Sequence, residues 1–127
     1  MRFGSSSGEP LFSGATGYIP LVCVPWFFLL MIHSVDIDAV RSSWNSRGFS
    51  CDVWTDPPGQ IWEDYRHTVD ELVMVLEGDV EFEINGRSIR PAVGEELYIP
   101  AGSVHSVRNK ANALSKWLYG YSVSHPR

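Results

Sequence analysis

Val80, Phe82 and Ile84 are apolar, and the residues between them, Glu81 and Glu83, are acidic. Strict alternation sends the two kinds of side chain to opposite faces of an extended strand, one buried and one wet. Asn85-Gly86 follows at once. Both residues accept positive φ, so a tight hairpin is expected there, with Ser88–Arg90 as the return strand. Shorter runs at Phe49–Trp54, Ile61–His67, Leu72–Leu76, Glu96–Ile99, Val104–Arg108 and Ser115–Val123 also read as strands, and Asp56-Pro57-Pro58-Gly59 reads as a turn. One segment has a different period. Val35, Ile37, Val40 and Trp44 lie near helical spacing, Asp36 and Asp38 suit the positive end of a helix dipole, and Gly48 suits its stop. A helix over 36–46 is therefore expected. Many short strands at close, regular intervals predict an all-β sandwich or barrel carrying one short N-terminal helix.

Residues 1–30 do not share this pattern. A Gly- and Ser-rich start leads into the uncharged apolar run Tyr18–Ile32, which Pro20 and Pro25 interrupt. The run is shorter than the ~20 residues a membrane-spanning helix needs, so no membrane association is expected. It can be a signal-peptide core, although Arg2 alone supplies basic charge ahead of it. It can be an arm packing on the barrel or on a second subunit. Or the biological start is Met31, with 1–30 lying upstream of it. Residues 1–30 are thus an atypical extension, 31–127 a single domain, and Ser122–Arg127 a loose tail.

Composition narrows the function classes. The chain has 127 residues, 44% hydrophobic and 20% charged, which suits one globular domain. Its net charge of −5 repels phosphate backbones, so nucleic acid is not an expected partner. Cys23 and Cys51 form no CxxC pair. They read as two reduced thiols in a cytoplasmic protein, a single bridge in an exported protein being the alternative.

The candidate chemistry gathers around two of the four histidines. His33 and His125 stand near element ends and read as surface residues. His67 and His105 stand in polar company. Side chains two apart on a strand share a face, so Glu63, Tyr65 and His67 are expected to point one way. If that way is inward, the interior receives a carboxylate, a phenol and an imidazole, with Glu71 following after a short turn. A carboxylate inside a barrel must be protonated, paired or bound to metal. Two imidazoles and a carboxylate from separate strands make the facial type of site that keeps coordination positions open.

The spacing of these residues resembles the cupin family. Cupin motif 1 runs G-x5-H-x-H-x3-E-x6-G, and Gly59, Tyr65, His67, Glu71 and Gly78 keep every interval, with Tyr65 where the first histidine belongs. Motif 2 runs G-x5-P-x-G-x2-H-x3-N, and Gly94, Pro100, Gly102, His105 and Asn109 match it throughout. The resemblance implies a cupin β-barrel (a double-stranded β-helix or jelly roll, RmlC-like) and a homodimer. It also implies a divalent metal (Fe, Mn, Ni, Co or Zn) on His67, Glu71 and His105, and dioxygenase or isomerase chemistry on a small organic molecule. Tyr65 or Glu63 would then fill the vacant corner or move a proton. Asn109 resembles the family's structural asparagine, which ties down a loop, and Pro100 and Gly102 shape a turn.

Other residues keep two readings. Trp54, Trp62, Trp117, Tyr119 and Tyr121 are either core or interface packing, or a cavity wall gripping an apolar or planar ligand. Arg66 either holds a ligand carboxylate or is a solvated strand arginine. Leu72, Met74 and Leu76, if they face away from the site, would suit a subunit interface. Two functions follow, a metal-dependent enzyme or a non-catalytic barrel that binds or senses a small ligand.

Overall fold

The computed structural model describes residues 34–123. One helix comes first, α1 (Ile37–Ser46), then eight strands in chain order. They are β1 (Asp52–Asp56), β2 (Ile61–Arg66), β3 (Glu71–Glu77), β4 (Val80–Ile84), β5 (Arg87–Ile89), β6 (Glu96–Ile99), β7 (Val104–Asn109) and β8 (Ser115–Tyr121). All pairings are antiparallel, in a sheet ordered β1-β8-β3-β6 and a second ordered β2-β7-β4-β5. The expected all-β barrel with one short helix is what the chain forms. Among the described residues no helix is long and apolar enough to cross a membrane. The extension 1–30, together with Cys23, His33 and His125, lies outside the described residues.

Period-2 alternation decides what each sheet face buries. On β3, Val73 and Val75 point inward and meet Phe82 of β4, Val107 of β7 and Trp117 of β8 in one core cluster. Leu72 and Met74 point outward and join Leu118, Cys51 and Trp44 in a second cluster. The outward face is therefore covered by this chain's own helix, not left open for a subunit. That corrects the interface reading of Leu72 and Met74; Leu76 packs at the edge of the same cluster. Asp36 caps α1 through the Ala39 amide at 3.1 Å. Trp44 is 1% exposed and anchors the helix, its indole donating to Glu96 of β6 at 2.9 Å.

The element limits shift at a few places. Phe49 makes only an isolated bridge to Ser122, and the first strand starts later, at Asp52. Ser122 and Val123 are not loose, since their amides donate to Asp70 and Gly48 carbonyls at 2.9 and 2.7 Å. Asn85 and Gly86 both have positive φ in the β4–β5 hairpin, as expected.

Candidate metal centre

β3 begins at Glu71, whose side chain turns inward with Val73 and is 4% exposed. The cross-strand partner of Glu71 on β8 is Tyr121. His105, on β7 in the facing sheet, pairs across its own sheet with Tyr65 of β2. His67 follows β2, and a latch holds the loop it starts. The Gly102 amide donates to the His67 carbonyl at 2.8 Å, and the Ala101 amide to the Asp70 carboxylate at 2.8 Å. The Pro100–Gly102 turn of motif 2 thereby sets the position of the motif 1 histidine.

The three side chains converge. Glu71 Oε1 lies 3.6 Å from His67 Nε2 and 3.5 Å from His105 Nε2, and the two imidazole centroids are 4.9 Å apart. One atom of each residue falls within 4.8 Å of the others. Ser103's carbonyl lies 3.2 Å from His105 Nδ1 and can only accept, so Nδ1 carries the proton and Nε2 offers its lone pair to the cluster. The Tyr121 hydroxyl stands 3.4 Å from His67 Nε2.

The electrostatics leave the cluster short of a cation. Glu71 Oε1 is a buried oxygen with no hydrogen-bond partner. Burial pushes the Glu71 carboxyl up to about 7. Burial, and then the neighbouring His105, push His67 down, so neither effect supplies an imidazolium. Burial, then the charges of Glu71 and Tyr119, push Tyr121 up to about 12. Two imidazoles and one carboxylate are ligands that first-row divalent ions accept. Bonds of about 2.1 Å put neighbouring donors about 3.0–3.4 Å apart, only slightly closer than Glu71 Oε1 lies to either imidazole nitrogen. The orphaned oxygen, the donor set and the spacing all fit a metal.

Above the cluster opens a cavity of about 250 Å³, walled by Trp54, Trp62, Tyr65, Trp117, Tyr119, Tyr121 and Val107. Trp62 and Tyr119 thus line the cavity, and Tyr65, also in its wall, is 43% exposed. Glu63 and Arg66 do not line it. A bulge in β2 is the cause for Glu63. Trp62 pairs with Val107 and Tyr65 with His105, so Glu63 and Asp64 together oppose Ser106. Asp64 takes φ 55°, and its amide donates to Ser106 Oγ at 2.9 Å. The extra residue breaks the period of two, bringing Trp62 and Tyr65 both inward and turning Glu63 out. There Glu63 meets Arg108 at 3.2 Å. Arg66 reaches back over the turn to the Gly102 carbonyl at 3.3 Å.

Asp56 is the residue that the sequence pattern does not reveal. It ends β1 rather than lying in the turn, and is 1% exposed. Three indoles donate to it, Trp54 at 2.8 Å and Trp62 at 3.0 Å on Oδ1, and Trp117 at 3.0 Å on Oδ2. The tryptophan two places back was the only local signal; Trp117 comes from a distant strand. Asn109 does tie down loops. Its amide donates to the Asp56, Pro57 and Ala113 carbonyls, and its Oδ1 accepts from Ala111 N and Ser115 Oγ.

A two-sheet antiparallel barrel with two histidines and a glutamate on its inner wall defines a class, and the comparisons name it. A cupin domain family model matches residues 52–121, and the chain belongs to that family. The tetracenomycin polyketide synthase protein TcmJ of Streptomyces glaucescens is 25% identical over 80 residues, covering 63% of this chain and 54% of that protein. The chain thus spans about half the length of this curated relative. Among solved structures, TT1209 of Thermus thermophilus aligns with a TM-score of 0.54 at 27% identity, over 58% of this chain and 71% of that one. A salicylate 1,2-dioxygenase of Pseudaminobacter salicylatoxidans aligns with a TM-score of 0.55 at 22% identity, over 59% of this chain and 22% of that one, a likeness of fold alone.

Proposed function

We propose that this cupin is a metal-dependent enzyme acting on a small organic molecule, of dioxygenase or isomerase type, with the ion on His67, Glu71 and His105. The observation that carries the reading is the buried, unpartnered Glu71 Oε1 facing two imidazole nitrogens at the floor of an open cavity. When bound, the ion would supply a Lewis acid with open positions toward the cavity. The chain's own groups do the rest. Ser103 holds the His105 tautomer. Tyr121, pushed up to about 12, stays protonated at neutral pH and is a donor beside His67, not a base. Tyr65 at the rim is the second hydroxyl able to pass a proton to a substrate. The aromatic wall excludes water and orients the guest. The likeness to a protein of polyketide synthesis supports an organic substrate, and we place the enzyme in the cytoplasm, as a homodimer.

Metal analysis of the purified full chain tests the reading directly. About one equivalent of a first-row ion is expected, falling to background in His67→Ala and His105→Ala. Wild-type protein without metal, taking up none on dialysis against iron, manganese or zinc, overturns it. Metal together with ligand-induced thermal stabilisation, but no turnover across a panel of small organic substrates, would assign the barrel to binding instead.

A further inference from the structure

The cavity wall carries a second message, independent of the triad. Trp54, Trp62 and Trp117 each have a single polar group, the indole N–H, and Asp56 accepts all three. None of these rings has a donor left for a ligand, so each offers only carbon to a guest. Their neighbours stand at steep angles. Trp54 meets Trp62 at 68° and Tyr119 at 83°, and Trp117 meets Tyr119 at 61°, with centroids 6.0–6.3 Å apart. A guest among them is met by ring faces and ring edges together. A flat π-system gains from both kinds of contact beyond the area it buries, and a puckered ring of equal size gains only the area. Among the described residues no lysine or arginine lines the cavity. Two arginines of the sheet that carries Trp62 and His105 are engaged elsewhere, Arg66 with the Gly102 carbonyl and Arg108 with Glu63, Glu81 and Glu83. An anionic tail would therefore find no side-chain counter-charge there.

We infer that the pocket takes a flat, uncharged aromatic ligand, and that Asp56 positions its wall by holding three indoles at one point. This names the substrate class of the proposed metal enzyme and rests on that reading for any chemistry, but the wall can be tested apart from the metal.

Calorimetric titration of the full chain with four probes, before and after metal is stripped by chelation so that the stripped protein reports the wall alone, decides it: 1-naphthol, decahydro-1-naphthol, naphthalene-1-sulfonate and tetramethylammonium. 1-Naphthol is expected to bind at least tenfold more tightly than each of the others. Trp54 and Tyr65 are 40% and 43% exposed, so Trp54→Leu and Tyr65→Leu remove a ring without opening the core. Either variant should lose most of the naphthol preference while keeping its affinity for decahydro-1-naphthol within about twofold. Asp56→Asn, which turns an amide N–H toward one indole, should reduce the same ratio in protein that remains folded by circular dichroism. Equal affinity for flat and saturated rings overturns the inference, as does tighter binding of the sulfonate or of tetramethylammonium. A chain that holds metal but shows no naphthol preference overturns this inference alone. A chain that prefers naphthol but holds no metal overturns the metal reading alone.

Discussion

Glu71 is the least comfortable residue of the site, a buried carboxyl with an unpartnered oxygen. Without a cation, its carboxyl titrates near 7 in the folded chain, against 4.5 for an ordinary glutamate. Below about pH 4.5 both states hold the proton and the group leaves stability unchanged. As pH rises toward 7 the unfolded chain releases the proton and the folded one keeps it, so stability falls. The full loss, present above 7, is about 3 kcal/mol at roughly 1.4 kcal/mol per pH unit. His67, pushed down by burial and by His105, has the opposite slope as pH falls below 6.5, so the Glu71 effect is read by difference. In metal-free protein the urea midpoint of Glu71→Gln should gain on that of the wild type between pH 4.5 and 7. Asp56 is buried too, but its side-chain oxygens are met by three indole N–H groups. Asp56→Ala strands the donors of Trp62 and Trp117, and at about 1–3 kcal/mol per unsatisfied group it should cost about 2–6 kcal/mol in the same assay.

At the scale of elements, the sheet β1-β8-β3-β6 is packed on both faces, and β8 is where the margin is smallest. A Cβ on Gly120 would stand 1.9 Å from the Ser50 carbonyl oxygen and 2.9 Å from Trp44 Cε3. One contact is backbone and the other the helix anchor, so neither yields easily. Gly120→Ala should lower stability by about 1–3 kcal/mol, as overpacking does, and should lift α1 from the sheet, detectable as faster amide exchange along 37–46. Removing the anchor itself, Trp44→Ala, should cost about 3–5 kcal/mol. The bulge in β2 acts at the same scale. One inserted residue chooses which of Glu63 and Trp62 faces the cavity, and so whether the wall is acidic or aromatic.

For the molecule as a whole, the triad joins the two sheets, with Glu71 in one and His105 in the other. An ion on these residues binds only the assembled barrel. Free metal at a hundred times its dissociation constant should stabilise the fold by about 2.7 kcal/mol, and the midpoint of thermal unfolding should rise with metal concentration. The rise should vanish in His105→Ala. A stabilisation that survives in that variant would place the metal elsewhere.

Much of the barrel was legible in the chain. Alternation on β4, the Asn85-Gly86 turn and the Asp36 cap are consequences of φ/ψ and side-chain period, which neighbouring residues impose on one another. The grouping of His67, Glu71 and His105 was legible too, because their intervals resemble those of the two cupin motifs, and the fold brings the three together. What the chain could not display is who meets whom across it. Alternation alone put Glu63 on one face with Tyr65 and His67, until the Asp64 bulge, itself matched to Ser106 on another strand, separated it from Tyr65. It left Leu72 and Met74 open to a subunit, until α1 covered them. It hid Asp56 in a turn, although its partners include Trp117, which comes from the last strand of the barrel. Local pattern determines which residues face together; the partner that completes a buried polar group, or covers an apolar one, can come from a distant strand or helix and is settled only when the elements pack.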